Sequence, residues 1–333
     1  MFAGMAFFLK YPDLFINPQP FRNSVLDTFV KLVKRSKYTD MNQKTALVLG
    51  SGGARGIAHI GAIRELIKNG FEITSIAGTS MGALIGGVYA CGKMDEYEAW
   101  MSSLSKMDVF NLVDFTLSTS GIIKADKVFK EIHKIIPDQK IEDLPIKYAA
   151  VATDLHHGKE IVIREGSLFD AIRASISIPL IITPVLKSDT LFVDGGVLNP
   201  VPVNRVFRND GDILVAVNVN AQIPYQPAVV ENPDWHFLEK INSSKIKEFQ
   251  EKLSTLFPPS KKEKSGYFNL ISETSNLMLK HILDLTLEMN PPDILIEVSR
   301  QACGTFDFYK ATELIELGKQ ATIKALESHL TLK

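Results

Sequence analysis

The chain has 333 residues, of which 45% are hydrophobic and 23% charged, with a formal net charge of −1. That length buries a large core without requiring two domains, and the composition is that of a globular protein. The near-zero charge excludes a bulk electrostatic attraction for nucleic acid.

In chain order, Met1 to Leu9 is almost wholly apolar before Lys10 interrupts it. No basic segment precedes this run and no small-residue cleavage site follows it, so a signal peptide does not fit. As a helix it would span about half of a bilayer's hydrocarbon core. Two readings stand. The favoured one is a helix packed on the protein, because Phe15, Phe21, Leu26, Phe29 and Val30 continue the apolar patterning toward the basic residues Lys31, Lys34, Arg35 and Lys37. The other is an interfacial anchor that makes peripheral contact with an anionic membrane. Residues 1–43 are thus expected to form an N-terminal helical extension of the unit at 44–328.

Ala46 to Leu49 reads as a buried strand that runs into Gly50-Ser51-Gly52-Gly53-Ala54-Arg55-Gly56. Apolar residues at Ile57, Ile60, Ile63, Leu66 and Ile67 then follow at helical spacing. A dinucleotide site needs G-x-G-x-x-G and an acid at the end of the second strand. Here the glycine spacing is one residue too long, and Ala77, Gly78, Thr79 and Ser80 occupy that strand end. The loop is better used as an oxyanion hole, with the backbone N–H groups of Gly52, Gly53 and Ala54 aimed at a substrate oxygen. Arg55 is expected to brace the loop in preference to meeting a phosphate.

Gly78-Thr79-Ser80-Met81-Gly82 lies between two apolar runs. This G-x-S-x-G box places a serine on a sharp strand-to-helix turn, with Gly78 and Gly82 leaving room for it. The serine hydroxyl then sits at a helix N-terminus, where partial positive charge favours a developing oxyanion.

Beyond it, the pattern predicts a helix over 92–106, a connection over 108–120 and a helix over 125–136. A strand over 148–153 leads through a hairpin at His157-Gly158, and a short helix covers 168–175. Phe192-Val193-Asp194-Gly195-Gly196 puts a carboxylate at the end of a short strand, and 212–220 alternates as a strand. Prolines and a polar lysine loop mark 221–291 as a helical insertion. It would form either the roof of an acyl-binding groove or ordinary core helices. A strand at 294–298 and a helix at 306–326 close the chain. Strands alternating with helices argue an α/β domain with a mainly parallel sheet.

Cys91 and Cys303 sit in apolar surroundings and read as reduced, buried thiols of a reducing, cytoplasmic compartment. No H-x-x-x-H or C-x-x-C spacing exists, so neither metal nor cofactor is expected. Three histidines follow Asp194, namely His236, His281 and His329, and none lies in a glycine-framed turn. His59 is on a helix in a packing register, and His156 and His157 are expected to be solvated. Turn chemistry accounts for Asp154 and Asn199.

Four blocks in this order resemble the patatin-like phospholipase family. They are Gly52-Gly53-Ala54-Arg55-Gly56, Gly78 to Gly82, Ala174-Ser175-Ile176-Ser177-Ile178-Pro179, and Asp194-Gly195-Gly196. The resemblance covers roughly residues 44–220, and one departure is Ser51, where many members carry glycine or aspartate. It implies a three-layer patatin-like (FabD/lysophospholipase-like) α/β fold. It also implies a serine lipid acyl hydrolase, acting on a phospholipid or other acyl ester through a Ser80–Asp194 dyad without histidine. An aspartate with an ordinary pKa of about 3.9 is a poor base, so desolvation must raise it. Two alternatives use the same fold. An acyltransferase would usually carry histidine before the serine, where this chain has Thr79. A non-hydrolytic lipid-binding regulator would not need the intact Ser80 and Asp194.

Overall fold

The computed structural model describes residues 43–331, apart from 113–114, 119–120, 124, 180, 188 and 229–266. The expectations for residues 1–42, for His236 and for the middle of the 221–291 segment lie outside the described residues.

The strands are β1 (Gln43–Leu49), β2 (Phe71–Thr79), β3 (Phe115–Ser118), β4 (Gly121–Ile123), β5 (Lys147–Asp154), β6 (Lys159–Ile163), β7 (Val185–Lys187), β8 (Thr190–Asp194), β9 (Ile213–Ala221) and β10 (Ile294–Ser299). The helices are α1 (Ala58–Lys68), α2 (Met81–Ala90), α3 (Met94–Ser103), α4 (Lys106–Leu112), α5 (Asp126–Ile135), α6 (Leu168–Ser175), α7 (Tyr267–Met289) and α8 (Ala311–Thr331). The main sheet has the order β10-β9-β1-β2-β5-β8-β7, with β6 also paired to β5. From β10 to β5 all pairs are parallel; β6, β8 and β7 join antiparallel.

Both faces of the parallel part are covered, as parallel sheets require. Leu47, Leu49, Val215 and Val217 pack with Ile60, Ile63 and Leu84 of α1 and α2 and with Leu314 of α8. The alternate residues Ala46, Val48, Leu214 and Ala216 turn to the other face, against Val201, Val203 and Leu283 of α7. The result is the three-layer α/β arrangement that the sequence implies. Among the described residues no helix is long and apolar enough to cross a membrane.

The 108–120 connection is a correction. Residues 106–112 form α4, and Phe115–Ser118 pairs antiparallel with Gly121–Ile123 as β3 and β4. The cause of the helix is local: the Ser105 N–H donates to Asp108 Oδ2 (2.9 Å) and the Asp108 N–H donates back to Ser105 Oγ (3.2 Å). This is a capping box, which satisfies otherwise orphaned amides at a helix start.

Candidate active site

Parallel strands β1 and β2 deliver two loops to the same edge of the sheet. β2 ends at Thr79, and Ser80 turns the chain into α2 with φ 57° and ψ −122°. Positive φ is rare for a residue with a Cβ and costs on the order of 1–3 kcal/mol. The turn is possible because α2 starts directly on the neighbouring backbone. A Cβ on Gly82 would lie 2.1 Å from the Leu49 carbonyl oxygen, and one on Gly78 would lie 2.4 Å from the Gly82 carbonyl carbon. Several bonds hold the elbow. Thr79 Oγ1 donates to the Asn199 carbonyl (2.9 Å), the Ser80 N–H donates to Ser175 Oγ (2.8 Å), and the Leu84 N–H donates to the Ser80 carbonyl (3.1 Å).

Asp194 comes from the other part of the sheet, at the end of β8, and is 6% exposed. Its Oδ1 accepts the Gly196 N–H (2.7 Å) and its own N–H donates to the Ser177 carbonyl (2.9 Å). Burial pushes its carboxyl up to about 6, against the opposing pull of the nearby Ser80 hydroxyl and of the hydrogen bond from the Gly196 N–H. Desolvation wins because the Gly196 bond and a nearby hydroxyl do not replace the hydration of a carboxylate. The Ser80 hydroxyl and the Asp194 carboxyl, 114 residues apart in sequence, are thus brought close together.

The glycine loop lies alongside. A Cβ on Gly196 would be 3.0 Å from Asp194 Oδ1 and 3.2 Å from Ser51 Oγ, so the Asp194-Gly195-Gly196 turn abuts the loop. Gly53 has φ +55°, and a Cβ there would lie 2.8 Å from the Thr305 carbonyl oxygen. The Ala54 N–H donates to that same carbonyl (2.9 Å). The expectation that Ala54 offers a bare amide is therefore corrected: its donor is engaged, which leaves the amides of Gly52 and Gly53. Arg55 binds inward. Nη2 donates to Asn220 Oδ1 (2.8 Å), Nε to the Val219 carbonyl (3.2 Å) and Nη1 to the Cys303 carbonyl (3.1 Å). It ties the loop to β9 and to the segment before α8.

Among the described residues no histidine is hydrogen-bonded to Ser80. His59 is fully buried with Nε2 2.8 Å from the Gly50 carbonyl, and burial lowers its pKa to about 4. It is a neutral pillar beneath the loop. His157 Nδ1 lies 2.7 Å from Asp154 Oδ2, and Asp154 Oδ1 accepts the N–H groups of His156 (3.0 Å) and His157 (3.1 Å). These bonds close the β5–β6 turn, and both histidines are exposed, as the solvated reading expects. Among the described residues no group of three or more His, Cys, Asp or Glu is placed to hold a metal ion.

Gly53 and Ser80 form part of the wall of a pocket of about 120 Å³. The remaining wall is apolar and includes Trp100 and Met101 of α3, Val128 and Ile132 of α5, Ile178 and Phe306. Among the described residues of the 221–291 segment none lines it; residues of α3, α4 and α5 and of 305–308 do.

The Patatin-like phospholipase family profile matches residues 47–207. An uncharacterized NTE family protein of Mycobacterium tuberculosis is 34% identical over 333 residues, covering 86% of this chain and 92% of its own. The chain belongs to the patatin-like phospholipase family. The lysophospholipase NTE1 of Yarrowia lipolytica is 31% identical over 187 residues, which cover 54% of this chain and 13% of that protein. Among solved structures, VipD from Legionella pneumophila overlays with a TM-score of 0.43 at 13% identity, covering 86% of this chain and 67% of that one. Family membership carries with it a lipid acyl hydrolase activity.

Proposed function

We propose that this protein is a serine esterase that cleaves fatty-acyl esters of phospholipids or lysophospholipids through a Ser80–Asp194 dyad. The observation that carries the reading is a buried Asp194 carboxyl beside the Ser80 hydroxyl, with Ser80 in the wall of an apolar pocket. Asp194 takes the Ser80 proton as Oγ attacks the ester carbonyl. The amides of Gly52 and Gly53 receive the oxyanion, helped by the N-terminus of α2. The C–O bond to the alcohol then breaks, and Asp194 returns the proton to the leaving oxygen. In the second half Asp194 takes a proton from water, hydroxide attacks the acyl-serine, and the fatty acid leaves as Ser80 is reprotonated. A carboxyl raised to about 6 is basic enough to assist and still ionised at neutral pH.

The apolar wall of the pocket supports an acyl substrate. The pocket's 120 Å³ gives room for roughly four methylene-sized groups, the part of an acyl chain nearest the ester. The test is fluorophosphonate labelling followed by profiling of lipid products with and without an acyl acceptor. Ser80 should carry the adduct and free fatty acid should be the product. Acyl transfer to the acceptor without fatty-acid release would instead identify an acyltransferase, and no adduct on Ser80 would overturn the nucleophile.

A further inference from the structure

We propose that Ser175 is a positioning residue for Ser80, and that the turn following it holds both members of the dyad at once; this rests on the hydrolase reading above. Ser175 is the last residue of α6 and is fully buried. Its Oγ accepts the Ser80 N–H (2.8 Å) and donates to the Val151 carbonyl of β5 (2.6 Å). Ser80 lies one residue past the end of β2 with positive φ, so the sheet ladder does not take up its amide. The Ser175 hydroxyl does, and thereby anchors the strained turn to the next strand. Only a group that accepts and donates at the same point fills this role, because a buried amide left without an acceptor costs its full desolvation penalty.

Two residues on, the Ser177 carbonyl accepts the Asp194 N–H (2.9 Å). One short turn therefore touches the backbone of both Ser80 and Asp194, which arrive on different strands. Arg173 fixes the turn. Its Nη1 donates to Ser177 Oγ (2.9 Å), its Nη2 donates to the Thr183 carbonyl (3.2 Å), and its guanidinium lies 5.0 Å from the ring centre of Phe129 on α5. Val128 and Ile132 of that helix line the pocket. The geometry of attack is thus set by a bridge of hydroxyl and carbonyl groups that neither member of the dyad supplies. Misplacing a reacting group by a fraction of its contact distance is enough to slow attack strongly.

The experiment compares Ser175→Ala, Ser175→Thr and Ser175→Cys in the full chain. It reads kcat and KM on a soluble short-chain ester, the rate of Ser80 phosphonylation, and Tm. Ser175→Ala should lose about tenfold to a hundredfold in both kcat and phosphonylation, with KM within about twofold. Ser175→Thr, which retains the hydroxyl, should recover most of that loss, as a merely space-filling role would not require. A folded Ser175→Ala with a wild-type phosphonylation rate overturns the proposal, as does a folded Ser175→Thr as slow as the alanine variant. If Ser175→Ala does not fold, Ser175→Cys decides: its weaker acceptor should slow phosphonylation, and a wild-type rate there overturns the proposal. A Ser80→Ala control that still labels would sink the hydrolase reading rather than this one.

Discussion

The two parts of the sheet do different work. The parallel part, β10-β9-β1-β2-β5, is built of long strands whose residues are almost all buried, and it presents the glycine loop and the Ser80 elbow. The antiparallel part is built of short, half-exposed strands, and it presents Asp194. The first holds a strained backbone in place by rigid packing. The second holds a charge out of water, in a turn tied by the Gly196 and Ser177 bonds. A strained residue and a desolvated carboxylate both destabilise the fold, and each is carried by the part of the sheet that can tolerate it. The difference teaches that, in the proposed mechanism, reactivity arises at the seam, where neither part is complete alone.

The comparison is broken most completely on the parallel side. Ser80→Ala should abolish esterase activity and labelling while leaving a folded protein, because only the hydroxyl is lost. A variant that labels at the wild-type rate would show that the elbow is not the reacting point.

On the antiparallel side, Asp194→Asn should lower kcat by at least about a hundredfold, the usual size of a general-base effect. It should also raise stability. A carboxyl raised from its ordinary value to about 6 binds its proton more tightly folded than unfolded, so stability falls as pH rises through that range. The shift corresponds to about 3 kcal/mol at neutral pH, present above about pH 6 and fading toward the ordinary pKa. Thermal melts of both proteins across pH check this. An Asn variant that is less stable at neutral pH would mean that the carboxylate is a structural anchor.

Two smaller effects sharpen the picture. Gly53→Ala puts a Cβ against Thr305 at a φ that disfavours it, so the two amides before Ala54 should be displaced. A loss in kcat on the order of a hundredfold with a smaller change in KM is expected, the scale of one lost oxyanion donor. Val128→Trp should shorten the pocket and leave the dyad untouched. It should reduce kcat/KM for a long-chain ester by about tenfold, with a short-chain ester changed by less than about twofold. Equal losses on both substrates would place the acyl chain elsewhere.

The sequence made the parallel part legible because its signals are local. A buried run, a glycine cluster and helical spacing stand next to one another at 46–67, and again at 73–90. Asp194 was legible from its strand-end turn. What connects the parts was not, because those bonds join residues far apart in sequence. Thr305 takes the Ala54 amide, Asn220 takes the Arg55 guanidinium, and Ser175 takes the Ser80 amide, from 95 to 251 residues away. One miss had a local signal: Ser105-x-x-Asp108 is a capping box that marks the start of α4. The strands β7 and β8 are too short and too exposed for alternation to define them fully.

The central claim is that a buried Asp194 activates Ser80 without histidine, and the pH dependence of Ser80 phosphonylation tests it most directly. The rate should rise with pH through a single ionisation near 6, as Asp194 loses its proton, and then level off. In Asp194→Asn that limb should vanish along with most of the rate. In His59→Asn, His281→Ala and His329→Ala variants that fold, the limb should remain. A limb that survives in Asp194→Asn, or disappears in one of the histidine variants, would contradict the dyad.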